Sequence, residues 1–338
     1  MRTPSVRLTW EGKDRPRAVP LRPRLNRTWK YPEGLLVQAD NLLALQALAR
    51  EHTEAVTLAY LDPPFLTGRV HDAVDRKSRT ARTAFDDRWP DRAAFLESLG
   101  ARIARVRVLL APHGSMVLHV DPKTSHYLKV LCDEIFGEEA FASEIIWRYR
   151  RWPAKTPNFQ RVHDVLLRYR KDPRTPPRWN PLYEPLAPST LATWGTGKQR
   201  AVVDASGRRL RSSTTPEETR GVPLGDVWDI GVIAPVSRER TGYPSQKPEA
   251  LLDRLVTALS DPGDLVLDPY AGSGTTLAVA ARLGRRFIGI DESNVAIKTC
   301  RARLSALPRA FMKGEGRSKS ALRRGQPQAY GNLRRLRS

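Results

Sequence analysis

Residues 264–293 read DLVLDPYAGSGTTLAVAARLGRRFIGIDES, and the fold is decided by this stretch. Residues 265–267 are a short apolar run of the kind buried on both faces of a sheet. Ala271-Gly272-Ser273-Gly274 interrupts it, because glycine permits a tight turn and close approach of a ligand. Thr275 or Thr276 opens a helix with Leu277, Val279, Ala280 and Leu283 on its apolar side, and Gly284 stops it. Residues 286–290 form a second buried strand that ends at Asp291. The spacing predicts a βαβ nucleotide-binding unit, its terminal acid about 20 residues past the turn and placed to accept hydrogen bonds from ribose hydroxyls. A glycine turn alone also fits a plain strand-to-helix connection, and Asp291 is what favours a ribose-bearing ligand. No lysine follows the glycines, which argues against a phosphate-binding loop and hence an ATPase.

The chain around this unit has 338 residues, enough for one large or two modest domains. It carries 57 Lys+Arg against 36 Asp+Glu, a net +21 that points to a polyanionic partner, nucleic acid by default. Part of the excess sits at the ends: nine basic and two acidic residues in 1–30, nine and one in 309–338. These ends read as a basic N-terminal arm and a basic C-terminal tail, of a kind often merely solvated. No apolar run is long enough to span a membrane and no signal peptide is legible, so the expected location is cytoplasmic. Two cysteines, Cys132 and Cys300, offer neither a disulfide framework nor a metal cluster, and no metal is expected.

Upstream, residues 34–39 and 55–61 read as buried strands, the first ending at Asp40-Asn41 and the second at Asp62-Pro63-Pro64-Phe65. A helix is expected over 42–50, a mobile loop over 66–90, an amphipathic helix over 91–111, a strand over 114–120 and a helix over 125–136. Residues 143–149 and 162–169 alternate like an antiparallel pair at a sheet edge. Residues 145–180 hold ten Lys/Arg and two acids, with Trp147, Trp152, Phe159 and Trp179 interleaved. Periodicity fades over 172–240, which reads as a small domain or long insertion, and a helix returns over 248–259.

The Asp62–Phe65 tetrapeptide alone could be a proline-stiffened turn with an aromatic plug. Its chemical reading is more specific. The exocyclic amine of a base is a poor nucleophile, because its lone pair is delocalised into the ring. The carboxylate of Asp62 and the carbonyl of Pro63 can accept its two hydrogens and localise that pair. The prolines fix the carbonyls, and Phe65 can stack on a base drawn out of the helix.

Taken in order, LVQADN, LAYLDPPF, GSMVLHVD, a basic variable region, YPSQKP, LDPYAGSGTT and FIGID resemble the β class of S-adenosylmethionine-dependent DNA amino-methyltransferases, over roughly residues 34–300. The resemblance implies an α/β fold, a Rossmann-like methyltransferase sheet that is circularly permuted, with an inserted target-recognition region. It divides the chain into an arm (1–30), a catalytic half (31–171), a target-recognition region (172–240), a cofactor-binding half (241–308) and a tail (309–338). Carried over by motif, Asp62, Pro63, Pro64 and Phe65 are catalytic. Asp268, Tyr270, Gly272 and Gly274 form the methionine end of the S-adenosylmethionine site, with Ser273 and Thr275 as further cofactor contacts, while Asp291 holds the ribose and Asp40 with Asn41 reaches the adenine. Lys247 joins that cofactor set through the helix leading into the cofactor strand. Tyr270 and Phe65 stand where the family usually has phenylalanine and tyrosine, and both keep an aromatic face. Arg148, Arg150, Arg151, Lys155 and Arg161 are the candidate DNA contacts.

The implied reaction methylates N6 of adenine in double-stranded DNA after base flipping, since Asp at the first motif position leans towards adenine in this family. The same chemistry on N4 of cytosine is the alternative. A homodimer and a cognate restriction endonuclease are partners the resemblance allows. A nicotinamide dehydrogenase shares the glycine turn but leaves the Asp62 strand end unexplained, and a non-catalytic DNA-binding protein leaves both strand ends unexplained. A carbon-5 cytosine methyltransferase needs a cysteine nucleophile, usually after proline. Cys132 follows Leu131 and Cys300 follows Thr299, so that reading is rejected. His119 and His163 read as structural or backbone-binding rather than catalytic.

Overall fold

The computed structural model describes residues 6–11, 13, 25, 27–74, 80–153, 155, 157–200, 202–208 and 213–307. In chain order the elements are β1 (Thr28–Tyr31), β2 (Gly34–Gln38), α1 (Asn41–Leu48), β3 (Val56–Leu61), β4 (Val70–Val74), β5 (Ala81–Asp86), α2 (Arg92–Leu109), β6 (Leu110–Val120), α3 (Ser125–Phe136), β7 (Phe141–Arg148) and β8 (His163–Arg170). There follow β9 (Tyr183–Glu184), α4 (Pro188–Trp194), β10 (Gly197–Arg200), β11 (Ser213–Glu218), β12 (Val222–Pro223), β13 (Val227–Asp229), α5 (Glu249–Leu259), β14 (Leu265–Asp268), α6 (Thr275–Arg282), β15 (Arg286–Asp291) and α7 (Asn294–Ser305).

One sheet of nine strands organises these elements, in the order β1-β2-β15-β14-β3-β6-β8-β7-β13. From β2 to β6 the strands run parallel, and β8 then turns antiparallel to β6. Parallel strands need cover on both faces, and the alternation of β3 shows how they get it. Ala59 and Leu61 pack with residues of α1, α2 and α3 on one side, while Leu58 and Tyr60 pack with α5, α6 and α7 on the other. The starts of α1 and α2 are capped by side chains: Asp40 accepts from the Leu43 amide at 3.1 Å, and Asp91 from the Ala94 amide at 2.8 Å.

The late glycine unit lies at the centre of the sheet. Strand β14 pairs with β15 on one side and with β3 on the other, Val266 facing Leu58. Two chain segments far apart in sequence thus present their carboxyl ends side by side, where an open parallel sheet binds ligands.

Four expectations need correction. Residues 66–90 are not a bare loop: β4 and β5 form an antiparallel hairpin, hidden in sequence because both strands are polar and half-exposed. The helix expected to reach 111 stops at Leu109, since Pro112 cannot continue it, and the apolar run passes directly into β6. The antiparallel pair β7–β8 is not the outer edge, because β13 adds in parallel to β7. Nor is all of 1–30 an arm. Leu8, Trp10 and Leu25 pack against the core, Glu134 accepts from the Leu8 amide and the Lys13 ammonium, and β1 extends the sheet from Thr28. Residues 1–5, 12, 14–24 and 26 of that arm and the 309–338 tail lie outside the described residues. The 172–240 stretch carries two two-stranded pairs, β9–β12 and β10–β11. It is fastened to the end of α5 by Asn180, whose side chain donates to the carbonyls of Thr257 and Ser260, and to the main sheet by β13 with its buried Trp228. Among the described residues, no helix is long and apolar enough to cross a membrane.

Candidate active site

A cleft of about 380 Å³ opens where β3 and β14 end. It is lined by Asp62, Pro63, Pro64 and Phe65 from the first strand end, and by Asp268, Tyr270, Gly272, Ser273 and Thr275 from the second. Asp40, Asn41, Lys247 and Asp291 complete the set expected from sequence. Gly274 does not line the cleft. It precedes α6 with φ +73°, and a Cβ there would lie 3.0 Å from Cys300 Sγ, so its service is to the turn.

The cofactor half is built around two acids, Asp268 buried and Asp291 half-buried. Asp268 accepts from the Tyr270 amide at 2.9 Å, and burial pushes its pKa up to about 7 against the opposing pull of Thr276 and that amide. Asp291 accepts from the Gly272 amide at 2.8 Å and the Ser293 amide at 2.9 Å. Burial still pushes its pKa up to about 6, because those two amides only partly offset the lost water. A carboxylate so held fixes the glycine turn and keeps lone pairs for a diol. At the neighbouring end of β2, Asn41 donates to the Pro269 carbonyl at 2.9 Å, and Arg102 bonds both Asn41 and Asp40, the latter at 2.9 Å. Gly272, at φ +51°, leaves a cradle over which Tyr243 lies, and a Cβ would come within 3.2 Å of that ring. An acid for a diol, a polar pair at the next strand end and a bare backbone turn together suit a nucleoside with a short charged arm.

The Asp62 half is a charge cluster. Lys247 Nζ donates to Asp62 Oδ2 at 2.5 Å and stands 5.1 Å from the centroid of the Phe65 ring. Lys247 was expected among the cofactor contacts, yet its ammonium is directed to the acid. Asp62 Oδ1 lies 4.0 Å from Nδ1 of His119, a fully buried ring that meets the Tyr60 hydroxyl at 2.7 Å. Burial and the Lys247 charge lower the His119 pKa, which keeps the imidazole neutral. Behind it, Asp164 Oδ2 is 3.5 Å from His119 Nε2, and Asp164 Oδ1 accepts from the Tyr149 hydroxyl at 3.0 Å. Burial alone would raise the Asp164 pKa, but His119, Lys247 and Tyr149 draw it below the usual carboxylate value.

Sequence reading missed Asp87. It is buried, and it accepts from the amides of Phe65 (3.2 Å), Leu66 (3.0 Å) and Thr67 (2.8 Å), the Thr67 hydroxyl (2.6 Å) and the Trp89 indole (3.2 Å). One carboxylate thus clamps the chain just after the proline pair. Leu66 there adopts φ +57°, a left-handed conformation that a leucine rarely takes unless its surroundings impose it. His71 and Phe85 of the hairpin stack at 4.6 Å, and Phe85 meets Tyr243 at 6.4 Å, so aromatic rings roof the same cleft. The only sequence signal for Asp87 was an acid two residues before a tryptophan in a polar stretch.

The candidate DNA contacts lie at the end of β7 and in the loop that follows it. Arg148 pairs with Asp229 through two bonds, and Arg161 with Asp121 at 2.7 Å. Arg151 lies 5.1 Å from the centroid of the Tyr149 ring. Arg150, Arg151 and Lys155 are exposed.

A mixed α/β sheet of this kind, with a glycine turn and an acidic strand end side by side in one cleft, is the fold of the S-adenosylmethionine-dependent methyltransferases. A family model described as DNA methylase matches residues 56–301, and the chain belongs to this family of N6/N4 DNA amino-methyltransferases. Type II methyltransferase M.EcaI of Enterobacter cloacae is 33% identical over 327 residues, covering 82% of this chain and 70% of that protein. DNA adenine methyltransferase YhdJ of Escherichia coli strain K12 is 31% identical over 256 residues, covering 75% of this chain and 78% of that protein. Among solved structures, the cytosine-N4-specific PvuII DNA methyltransferase superposes with TM-score 0.52 at 17% identity, covering 85% of this chain and 97% of that one, a likeness of fold. The protein is therefore an enzyme, a DNA methyltransferase with S-adenosylmethionine as its cofactor.

Proposed function

We propose that this methyltransferase acts on N6 of adenine within a specific sequence of double-stranded DNA, extruding the base into the cleft beside Asp62. The observation that carries the reading is the juxtaposition of the Asp62–Phe65 strand end with the glycine turn in one cleft. When bound, S-adenosylmethionine supplies an electrophilic methyl group. Asp268, Tyr270, Ser273 and Thr275 would hold its amino-acid arm against the turn formed by Gly272 and Gly274. Asp291 would hold the ribose, and Asp40 with Asn41 the adenine. Asp62 and the Pro63 carbonyl accept hydrogens from the target amine and restore its lone pair, with Pro64 fixing the backbone. Phe65 stacks on the extruded ring. The aspartate at position 62 and the relative named as a DNA adenine methyltransferase both support adenine. Cytosine N4 is the alternative within the same geometry.

The parts of the chain take on roles accordingly. Residues 31–171 and 241–308 are the two halves of a permuted methyltransferase sheet, a reading supported by the late cofactor strand pairing beside β3. Residues 172–240 read the target sequence. Arg148, Arg150, Arg151, Lys155 and Arg161 contact the DNA backbone. A second copy of the chain and a cognate restriction endonuclease are the protein partners of this reading, and the cytoplasm its location.

Single-molecule sequencing of modified bases in DNA from cells expressing the protein tests the proposal. N6-methyladenine at one recurrent sequence is the expected result, and N4-methylcytosine alone or no modified base overturns it.

A further inference from the structure

The loop between β7 and β8 holds two aromatic side chains that the proposed chemistry does not use. Trp152 is 91% exposed and Phe159 103% exposed, whereas Tyr149 at the root of the same loop is buried. A bare tryptophan and phenylalanine on one short loop signal a surface that is covered in use.

Topology fixes where this loop points. Arg148 at the end of β7 faces His163 at the start of β8, and Val165 faces Val120 at the end of β6. The loop therefore leaves the sheet at the edge where β3 delivers Asp62. Both roots are tied there. Arg161 pairs with Asp121 at 2.7 Å, and the Tyr149 hydroxyl donates to Asp164, which neighbours His119 beside Asp62. Gln160 donates to the Trp152 carbonyl at 2.7 Å and draws the two limbs together.

Charge selects the occupant. Arg150, Arg151, Lys155 and Arg161 lie along residues 149–162, and no acid occurs among them. A purely apolar partner has no use for that density of cations. Duplex DNA has use for both features, since phosphates flank its stack and the bases themselves accept aromatic faces.

We propose that this loop is a wedge, and that Trp152 and Phe159 enter the duplex at the position the target base vacates. The inference rests on the base-extrusion reading above and deepens it. Phe65 stacks on the extruded base inside the cleft, while the loop aromatics stack on the bases left behind. They close the gap and oppose return of the target. Because aromatic stacking is worth about one to two powers of ten per base, loss of both rings should be large and confined to extrusion.

The test uses the full chain with S-adenosylmethionine and a duplex bearing the methylated sequence, with 2-aminopurine at the target position. Fluorescence reports extrusion, and methyl transfer is followed on the natural duplex. For the Trp152→Ala/Phe159→Ala double variant, the extruded population should fall about tenfold or more. KM for DNA should rise, while cofactor affinity and binding to a non-cognate duplex stay within about twofold. A mismatch opposite the target, which lowers the cost of extrusion, should restore most of the lost rate. Unchanged fluorescence and KM in the double variant overturn the wedge and leave the methylation reading standing. Loss of a dimer in sedimentation, with extrusion intact, overturns it in favour of contact with a second copy. A wild-type chain that methylates DNA without any fluorescence change at the target also overturns it, whereas a wild-type chain that methylates nothing fails the underlying reading instead.

Discussion

Asp62 and Lys247 are separated by 185 positions in sequence and by 2.5 Å in space, and the pair makes two otherwise similar substitutions distinguishable. Asp62→Ala should abolish methyl transfer while leaving cofactor binding nearly intact, because its hydrogen bonds to the amine strengthen as the nitrogen becomes tetrahedral. Single-turnover rates near normal in that variant would remove Asp62 from the chemistry. Lys247→Met should also act on kcat, leaving cofactor affinity within about twofold, since its ammonium serves the carboxylate. A large loss of cofactor affinity measured by calorimetry would return Lys247 to the cofactor site. Asp291→Ala should do the reverse and weaken cofactor binding by about 1.5–3 kcal/mol. The pH dependence follows from the position of Asp291 at about 6 rather than 3.8. Ribose hydroxyls bind the ionised form, so cofactor affinity should rise with pH up to about 6, level off above it, and release a proton on binding near pH 6. Calorimetry in two buffers of different ionisation enthalpy measures that proton. For the cofactor-free chain the sign is opposite. A carboxyl pKa raised by burial contributes stability that is complete below 3.8 and lost as pH rises through about 6. Asp291→Asn should flatten that fall in thermal denaturation.

At the level of elements, the strand end 62–65 works only if the chain beyond it is held. Asp87 does this from the foot of the β4–β5 hairpin with five hydrogen bonds. Asp87→Ala leaves three backbone amides without their acceptor and should cost about 2–3 kcal/mol in denaturant unfolding, with methyl transfer reduced more than cofactor binding. Equal loss of both activities would make Asp87 a general support of the fold. Neither the hairpin nor this clamp was legible in sequence, and the reason is physical. Periodicity reports burial, and VHDAV and ARTAFD are polar strands half open to water, so they look like loop. Strand β13 escaped because three residues are too few to show a period. The elements that were legible, β3, α2, α5 and β14 through β15, are those with a continuous apolar run or a clear apolar stripe. Within the cleft, Asp62 and Asp291 announced themselves as acids at strand ends beside turn-forming residues, whereas Asp268 was placed by motif. Lys247 was placed by motif, but which acid it would meet depended on a contact across most of the chain.

For the molecule as a whole, charge is uneven: of the net +21, the last thirty residues hold nine basic side chains against one acid. Removing 309–338 should weaken DNA binding and flatten its dependence on salt, because fewer counterions are released, without altering the methylated sequence. Binding titrations at several salt concentrations measure the slope, and a changed sequence preference would relocate specificity to the tail. The pairing of β3 with β14 has a further consequence, for the chain during its synthesis. Leu58 leaves the ribosome some 200 residues ahead of its neighbour Val266, a delay of about 10–40 s at ordinary elongation rates. Throughout that interval the most buried strand of the enzyme has one unpaired edge, open to chaperones or to other nascent chains. The methyl-transfer centre meanwhile lacks the turn that would receive its cofactor. Catalytic competence therefore arrives only with the final fifth of the polypeptide, so truncated translation products carry the Asp62 strand end and the β7–β8 loop without the means to methylate DNA.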